Sequence, residues 1–196
     1  MTNRIENPLR SDPAFAAARE LVMSGALGQL LAVYAVARTK LPIDDALVLL
    51  GLPLIDEIVT TLGEAPVGVT AHLCREPGHF EQWSMVVAFS SGLRATIDVG
   101  AGFGAAQQDH LDLRVEWSGT ERVVFVNPAN VAVTVTGARG ARRDSAEVFP
   151  IANRVLVFAD HAFAIAADPP SQWRTAAAVI AAARESSESG MPTRVP

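Results

Sequence analysis

Residues 44–63, DDALVLLGLPLIDEIVTTLG, decide the fold. Leu47, Leu50, Leu54, Ile58 and Leu62 recur at three- and four-residue steps, which predicts a helix with an apolar stripe along one face. A sheet or another helix must cover that stripe. Gly63 can cap the last turn, and Pro66 cannot continue it. Pro53 falls inside the helix, where a proline removes one backbone hydrogen bond and crowds the preceding turn. The helix is therefore expected to kink or restart there.

Upstream, Ser11, Asp12 and Pro13 form a helix start, and the helix runs through Phe15, Ala18, Leu21 and Val22 to a stop at Gly25. Residues 29–40 alternate as a strand, with Leu31, Val33, Ala35 and Ala37 on one face and Tyr34, Arg38 and Lys40 on the other. Downstream of the central helix, residues 67–76, 82–90, 93–100, 110–118, 122–127 and 130–137 read as successive strands. Each is short, β-branched and bounded by turn residues. Ser90-Ser91-Gly92 and Ser118-Gly119-Thr120 suit hairpins, so most pairing should be antiparallel. Within 110–117, Leu111, Leu113, Val115 and Trp117 should face inward, with His110, Asp112, Arg114 and Glu116 outward. Residues 137–145 read as a polar loop, 153–168 as a helix, and 171–190 as an alanine-rich helix closing at Gly190.

This order predicts a single α+β domain over residues 1–196, an open, mostly antiparallel β-sheet with helices packed on one face. The uncovered face, expected to carry Val and Leu alternation, would be a natural interface for a homodimer.

The chain has 196 residues, 49% hydrophobic and 19% charged, which suits a globular protein with a full core. A net charge of −5 argues against a nucleic-acid or anionic-membrane partner. The single cysteine, Cys74, excludes an internal disulfide framework and suits a reducing, cytoplasmic setting. The first residues, MTNRIENPLRSDP, lack the apolar core of a signal peptide, and no apolar run approaches the roughly 20 residues that cross a bilayer.

Gly100–Ala105, GAGFGA, follows a strand and fits a loose dinucleotide fingerprint, with Glu121 where a ribose-binding acid would stand. That fingerprint needs a helix immediately after it, and here another strand follows, so it is set aside as a cofactor site. His72, His79, His110 and His161 pair with no second ligand at metal spacing, although His72 and Cys74 share a strand face. His79 suits a solvated loop, Cys74 a small buried apolar residue, and Arg139, Arg142 and Arg143 a solvated turn. Asp44 and Asp45 suit helix capping, and Asp56 and Glu57 the wet face of the central helix. Arg38, Lys40 and Asp56 remain as a candidate remnant pocket.

Residues 12–33, 54–72, 85–100, 117–128 and 181–195, in that order, resemble the C-terminal domain of Gfo/Idh/MocA-type oxidoreductases. The resemblance implies a sheet of the dihydrodipicolinate-reductase-like or glyceraldehyde-3-phosphate-dehydrogenase-like C-terminal kind, through which such proteins dimerise or tetramerise. It also implies an N-terminal Rossmann domain supplying NAD or NADP and a lysine; NRIENPLR at 3–10 corresponds to the join after that domain, so both are expected to be missing here. Similar enzymes carry an Asp and, four residues later, a His on the central helix before a second Asp. Aligned on Asp56 and Gly63, Leu49 takes the place of the first Asp and Pro53 that of the His. Neither side chain can exchange a proton.

The expected function is that of a pseudoenzyme, a non-catalytic homologue acting in ligand binding or subunit assembly, with no catalytic residue, cofactor or metal of its own. The alternative is the substrate-domain subunit of a split NAD(P)-dependent oxidoreductase, completed by a separate Rossmann chain.

Overall fold

The computed structural model describes residues 6–40, 45–102, 111–127, 133–137, 140–144, 162 and 165–196. Asp12 caps the first helix, α1 (Pro13–Met23), by accepting hydrogen bonds from the amides of Ala14 and Phe15. Pro13 opens the first turn, where its missing N–H costs nothing. Strand β1 (Leu30–Thr39) follows. The central helix then begins as a wide π turn, Leu47–Gly51, and continues as α2 (Leu52–Leu62). The expected restart at Pro53 thus takes a specific form. The proline cannot supply the hydrogen bond that α-helical spacing demands, and the backbone widens in the turn just before it. Gly63, at φ 64°, ends α2 in the left-handed conformation that glycine tolerates.

The strands β2 (Pro66–Glu76), β3 (Phe80–Phe89), β4 (Arg94–Ala101), β5 (Leu111–Gly119), β6 (Arg122–Val126) and β7 (Val133–Gly137) fall where alternation predicts them. Two further strands were not foreseen. β8 (Gly140–Asp144) lies in the stretch read as a polar loop; its backbone pairs antiparallel with β7, from Gly137 opposite Gly140 to Val133 opposite Asp144. β9 (Thr193–Arg194) follows α3 (Arg174–Ser189) and pairs with β2. Ladder hydrogen bonds need only backbone, so the charged Arg142 and Arg143 do not prevent a strand at a sheet edge.

The nine strands form one sheet in the order β8-β7-β6-β5-β1-β4-β3-β2-β9. Only β1 and β4 pair in parallel; the other pairings are antiparallel. Val33, Ala35, Ala37, Ile97, Val99, Leu113, Val115 and Trp117 lie under the helical layer in one core. The other face is not the Val and Leu surface expected. Tyr34, Arg38, Asp98, Ser84, Asp112, Arg114 and Glu116 occupy the alternate positions of β1, β3, β4 and β5. Leu31, expected inward with Val33, is 58% exposed near the irregular start of the β1–β5 ladder.

α2 is buried all round in its first half. Every residue from Leu47 to Ile58 is shielded, with β1, β4, α1 and α3 around it. A helix apolar on one stripe only would leave Asp56 and Glu57 wet. Here both are buried. Among the described residues no helix is long and apolar enough to cross a membrane. The predicted helix at 153–168 lies largely outside the described residues.

Candidate functional site

The central helix carries the positions where the resemblance places proton-transfer groups. Leu49 sits in the π turn, 7% exposed, and Pro53 is buried in the first turn of α2. Both belong to the apolar core, and neither offers a titratable atom.

Asp56 survives from the pattern but is committed elsewhere. Its two oxygens accept hydrogen bonds from the Asn7 amide at 2.7 Å and from Arg10 at 2.8 Å. The same Asn7 amide reaches the Pro53 carbonyl at 2.7 Å, and Arg10 also donates to Thr60. Asn7 is itself positioned by the Leu9 amide, which donates to its side-chain oxygen. Next along the helix, Glu57 receives both oxygens' worth of Arg19 at 2.8 and 2.9 Å, and Thr61 donates to it as well. Burial pushes both carboxyls above their ordinary range, and the hydrogen bonds of Asn7, Arg10 and Arg19 pull them back only in part. The pair fastens residues 7–19 onto α2. It is a structural lock.

Arg38 and Lys40 do not join Asp56. Arg38 lies on the open sheet face, 3.9 Å from Asp98, and Lys40 is exposed at the end of β1. Asp98 also accepts from Ser84 at 2.6 Å and from Tyr34 at 3.2 Å. Burial and the neighbouring Asp98 raise the Tyr34 hydroxyl above its ordinary range. Asp56 sits on the opposite side of the sheet, in the helical layer. The three residues of the expected remnant pocket are therefore not gathered into one.

A cavity of about 620 Å³ opens instead between the β2–β3 turn, the end of β4, Asp45 and the last turns of α3. That volume suits a small molecule. Asp45, Glu76, Glu81 and Glu188 line it together with Arg75 and Arg184. Asp45 has φ 57° and accepts from the Val48 amide, so it caps the π turn as expected of a carboxylate at a helix start. It also pairs with Arg184. Glu81 accepts from the Trp83 indole at 2.8 Å.

His79 lines this cavity, and the turn that carries it explains one glycine of the rejected fingerprint. A Cβ at Gly102, where φ is 82°, would lie 2.0 Å from the His79 carbonyl oxygen. Gly102 is required by the close approach of the β2–β3 turn. Residues 103–105 of that motif, Asp44, His110, Arg139 and His161 lie outside the described residues. His72 is exposed on the open face. Cys74, expected to be buried, is exposed there too, because even positions of β2 at this end face away from the helices. Among the described residues no group of three or more metal-ligating side chains converges.

Reading from sequence alone missed the cavity. Its lining comes from residues 45, 73, 75–81, 83, 101–102, 184 and 187–188, far apart in the chain and without a shared motif.

No protein-family model and no curated protein matches the sequence. Solved structures do match it in fold. A levoglucosan dehydrogenase in complex with NADH and levoglucosan superposes with a TM-score of 0.73 at 18% identity; the match covers 96% of this chain and 65% of that one. An oxidoreductase from Agrobacterium radiobacter in complex with NAD+, L-tartaric acid and magnesium gives 0.71 at 16%, covering 97% and 64%. A myo-inositol 2-dehydrogenase from Lactobacillus plantarum gives 0.66 at 19%, covering 97% and 64%. The chain thus spans less than two thirds of the length of these oxidoreductases. The fold is that of the C-terminal domain of Gfo/Idh/MocA-type oxidoreductases.

Proposed function

We propose that this chain is a non-catalytic homologue of an oxidoreductase C-terminal domain, which binds a small molecule and assembles as a homodimer through its open sheet face in the cytoplasm. One observation carries the reading. Leu49 and Pro53, which the resemblance aligns with the proton-transfer Asp and His of similar enzymes, are both packed into the core. Losing a positioned general acid or base costs on the order of 10²–10⁴ in rate. The remaining Asp56 is held by Asn7 and Arg10, with both its oxygens already bonded. The cavity beside Asp45, about 620 Å³, is of a size for a small ligand. The mixed charges of the open face, such as Arg114 beside Asp112 at 2.8 Å, suit a self-complementary contact between two copies.

The test is a hydride-transfer assay with NAD and NADP over a panel of polyols and sugars, run beside light scattering. The expected result is no reduced cofactor above background and a dimer at micromolar concentration. Turnover of about 1 s⁻¹ or faster, within the usual range of enzymes, would overturn the non-catalytic reading. A strict monomer would remove the assembly part.

A second reading draws on the matched share. The solved structures that hold NAD+ or NADH extend beyond the matched region by about a third of their length. In this reading the chain is the substrate-domain subunit of a split oxidoreductase, and a separate Rossmann-domain protein brings NAD or NADP. Co-purification of such a partner, with hydride transfer appearing only in the complex, would favour it.

A further inference from the structure

We propose that Tyr34 anchors the contact between two copies of this chain: a two-fold axis passes beside it, and its ring packs against its own counterpart on the partner. The inference rests on the reading of the open sheet face as a homodimer interface. It adds where on that face the contact is centred and what holds it there.

Position comes first. β1 is the fifth strand in the order of nine, so Tyr34 lies at the middle of the sheet. It is the chain's single tyrosine and is 44% exposed. Val36, the next residue on the same face, stands opposite Asp98 and Arg114 and is only 1% exposed. The side chains around Val36 thus already close over the backbone, and Tyr34 still presents an aromatic surface from that layer. Central tyrosines ringed by polar residues are where binding energy concentrates in interfaces. The Tyr34 hydroxyl donates to Asp98 at 3.2 Å, which fixes the ring before any partner arrives and lowers the entropy lost on association. In a two-fold contact the same patch serves both copies, and a residue on the axis meets itself.

Charge identifies the occupant. Around Tyr34 the same face carries Arg38 and Arg114 against Asp98, Asp112 and Glu116. That near balance suits neither a strongly acidic nor a strongly basic partner, and it suits a copy of itself. Arg38 reaches Asp98 only at 3.9 Å, and the Nε atoms of Arg38 and Arg114 are shielded without an acceptor among the described residues. Glu116 accepts from Ser118 through one oxygen at 2.8 Å, and its other oxygen has no partner among the described residues. Donors and acceptors are therefore both in surplus within one patch. The register lets two copies match them. An axis laid across the strands between Tyr34 and Val36 sets Arg114 against the partner's Glu116, and an axis laid along β1 sets it against the partner's Asp98. Either way, cation meets acid twice by symmetry.

The experiment is sedimentation equilibrium of the full chain and its variants, with Tyr34→p-benzoylphenylalanine for photo-crosslinking. Tyr34→Ala should raise the dimer dissociation constant about 30-fold or more while keeping the wild-type circular dichroism. Tyr34→Phe, which keeps the ring and loses only the bond to Asp98, should stay within about threefold of wild type. Arg114→Glu should weaken the dimer about tenfold at low ionic strength, and less at about 150 mM salt. Thr70→Ala, exposed in the same row three strands nearer the edge, should change little. The crosslink should fall on the partner's β1, β4 or β5. A Tyr34→Ala dimer as tight as wild type, a Thr70→Ala loss equal to that of Tyr34→Ala, or a crosslink on an edge strand would overturn the anchor alone. If the wild type stays monomeric at micromolar concentration, the assembly reading falls and the anchor with it.

Discussion

Two groups of carboxylates in this molecule have opposite fates. On α2, Asp56 and Glu57 are 4% and 1% exposed, and every oxygen has a partner on residues 7–19 or on the helix itself. At the rim of the cavity, Glu76 at the end of β2 and Glu188 on α3 are exposed and free of ion pairs among the described residues. The residue types are the same and the physical roles are not. A buried acid must be satisfied inside the protein, because its desolvation is too costly otherwise, and once satisfied it has nothing left for a ligand. An open acid remains hydrated, contributes little to stability, and keeps its field for whatever enters.

The contrast can be broken most forcefully at Glu57. Replacing it with alanine leaves the half-buried Arg19 uncompensated and Thr61 without its acceptor, so Glu57→Ala should lower unfolding stability by about 3–5 kcal/mol in urea denaturation. The joint exchange Arg19→Met with Glu57→Leu should recover most of that loss, since an apolar pair of similar volume can replace a buried ion pair. A single mutant within about 0.5 kcal/mol of wild type would show that the pair is not a lock.

Asp56→Ala should cost less, about 1–3 kcal/mol. It leaves the Asn7 amide one hydrogen bond short, while Arg10, 37% exposed, can turn to water. Chemical denaturation with proteolysis of the first residues as a second readout checks this. Faster cleavage near residues 7–12 should accompany the loss, and unchanged cleavage would separate Asp56 from the strap.

A third measurement uses pH. Burial first, against the opposing hydrogen bonds, pushes both carboxyls above their ordinary range, so the folded chain holds these protons more tightly than the unfolded chain does. Their contribution is fully present below the ordinary carboxylate range and is lost as pH rises through the folded-state values. Stability of Glu57→Gln should therefore fall less than that of wild type between the ordinary carboxylate range and neutrality, read from urea midpoints at a series of pH values. Parallel profiles would contradict this. The smallest effect belongs to the cavity: Glu188→Gln should change unfolding stability by less than about 0.5 kcal/mol. A loss several times larger would make that acid a structural group and erase the distinction.

Much of the scaffold was legible in the sequence, and the reasons are local. Period-two alternation at 111–117 follows from the pleat alone, and the structure keeps Leu113, Val115 and Trp117 inward. Asp12 before Pro13 and Gly63 after Leu62 mark helix ends through their own backbone chemistry. β8 was not legible because an edge strand needs no apolar face, only a neighbour with free ladder groups. Cys74 was misplaced because alternation gives two faces without saying which one the helices cover.

The candidate site divides along the same line. Residues 44–63 by themselves determined that Leu49 and Pro53 cannot move a proton, since that depends only on what those side chains are. Whether Asp56 faces water, a ligand or Asn7 depends on a segment some fifty residues earlier in the chain folding back over the helix. The cavity depends on side chains as far apart as Asp45 and Glu188 meeting at one edge of the sheet. Periodicity reports which side of an element is apolar. Only tertiary packing decides what lies opposite it, because that is set by long-range topology.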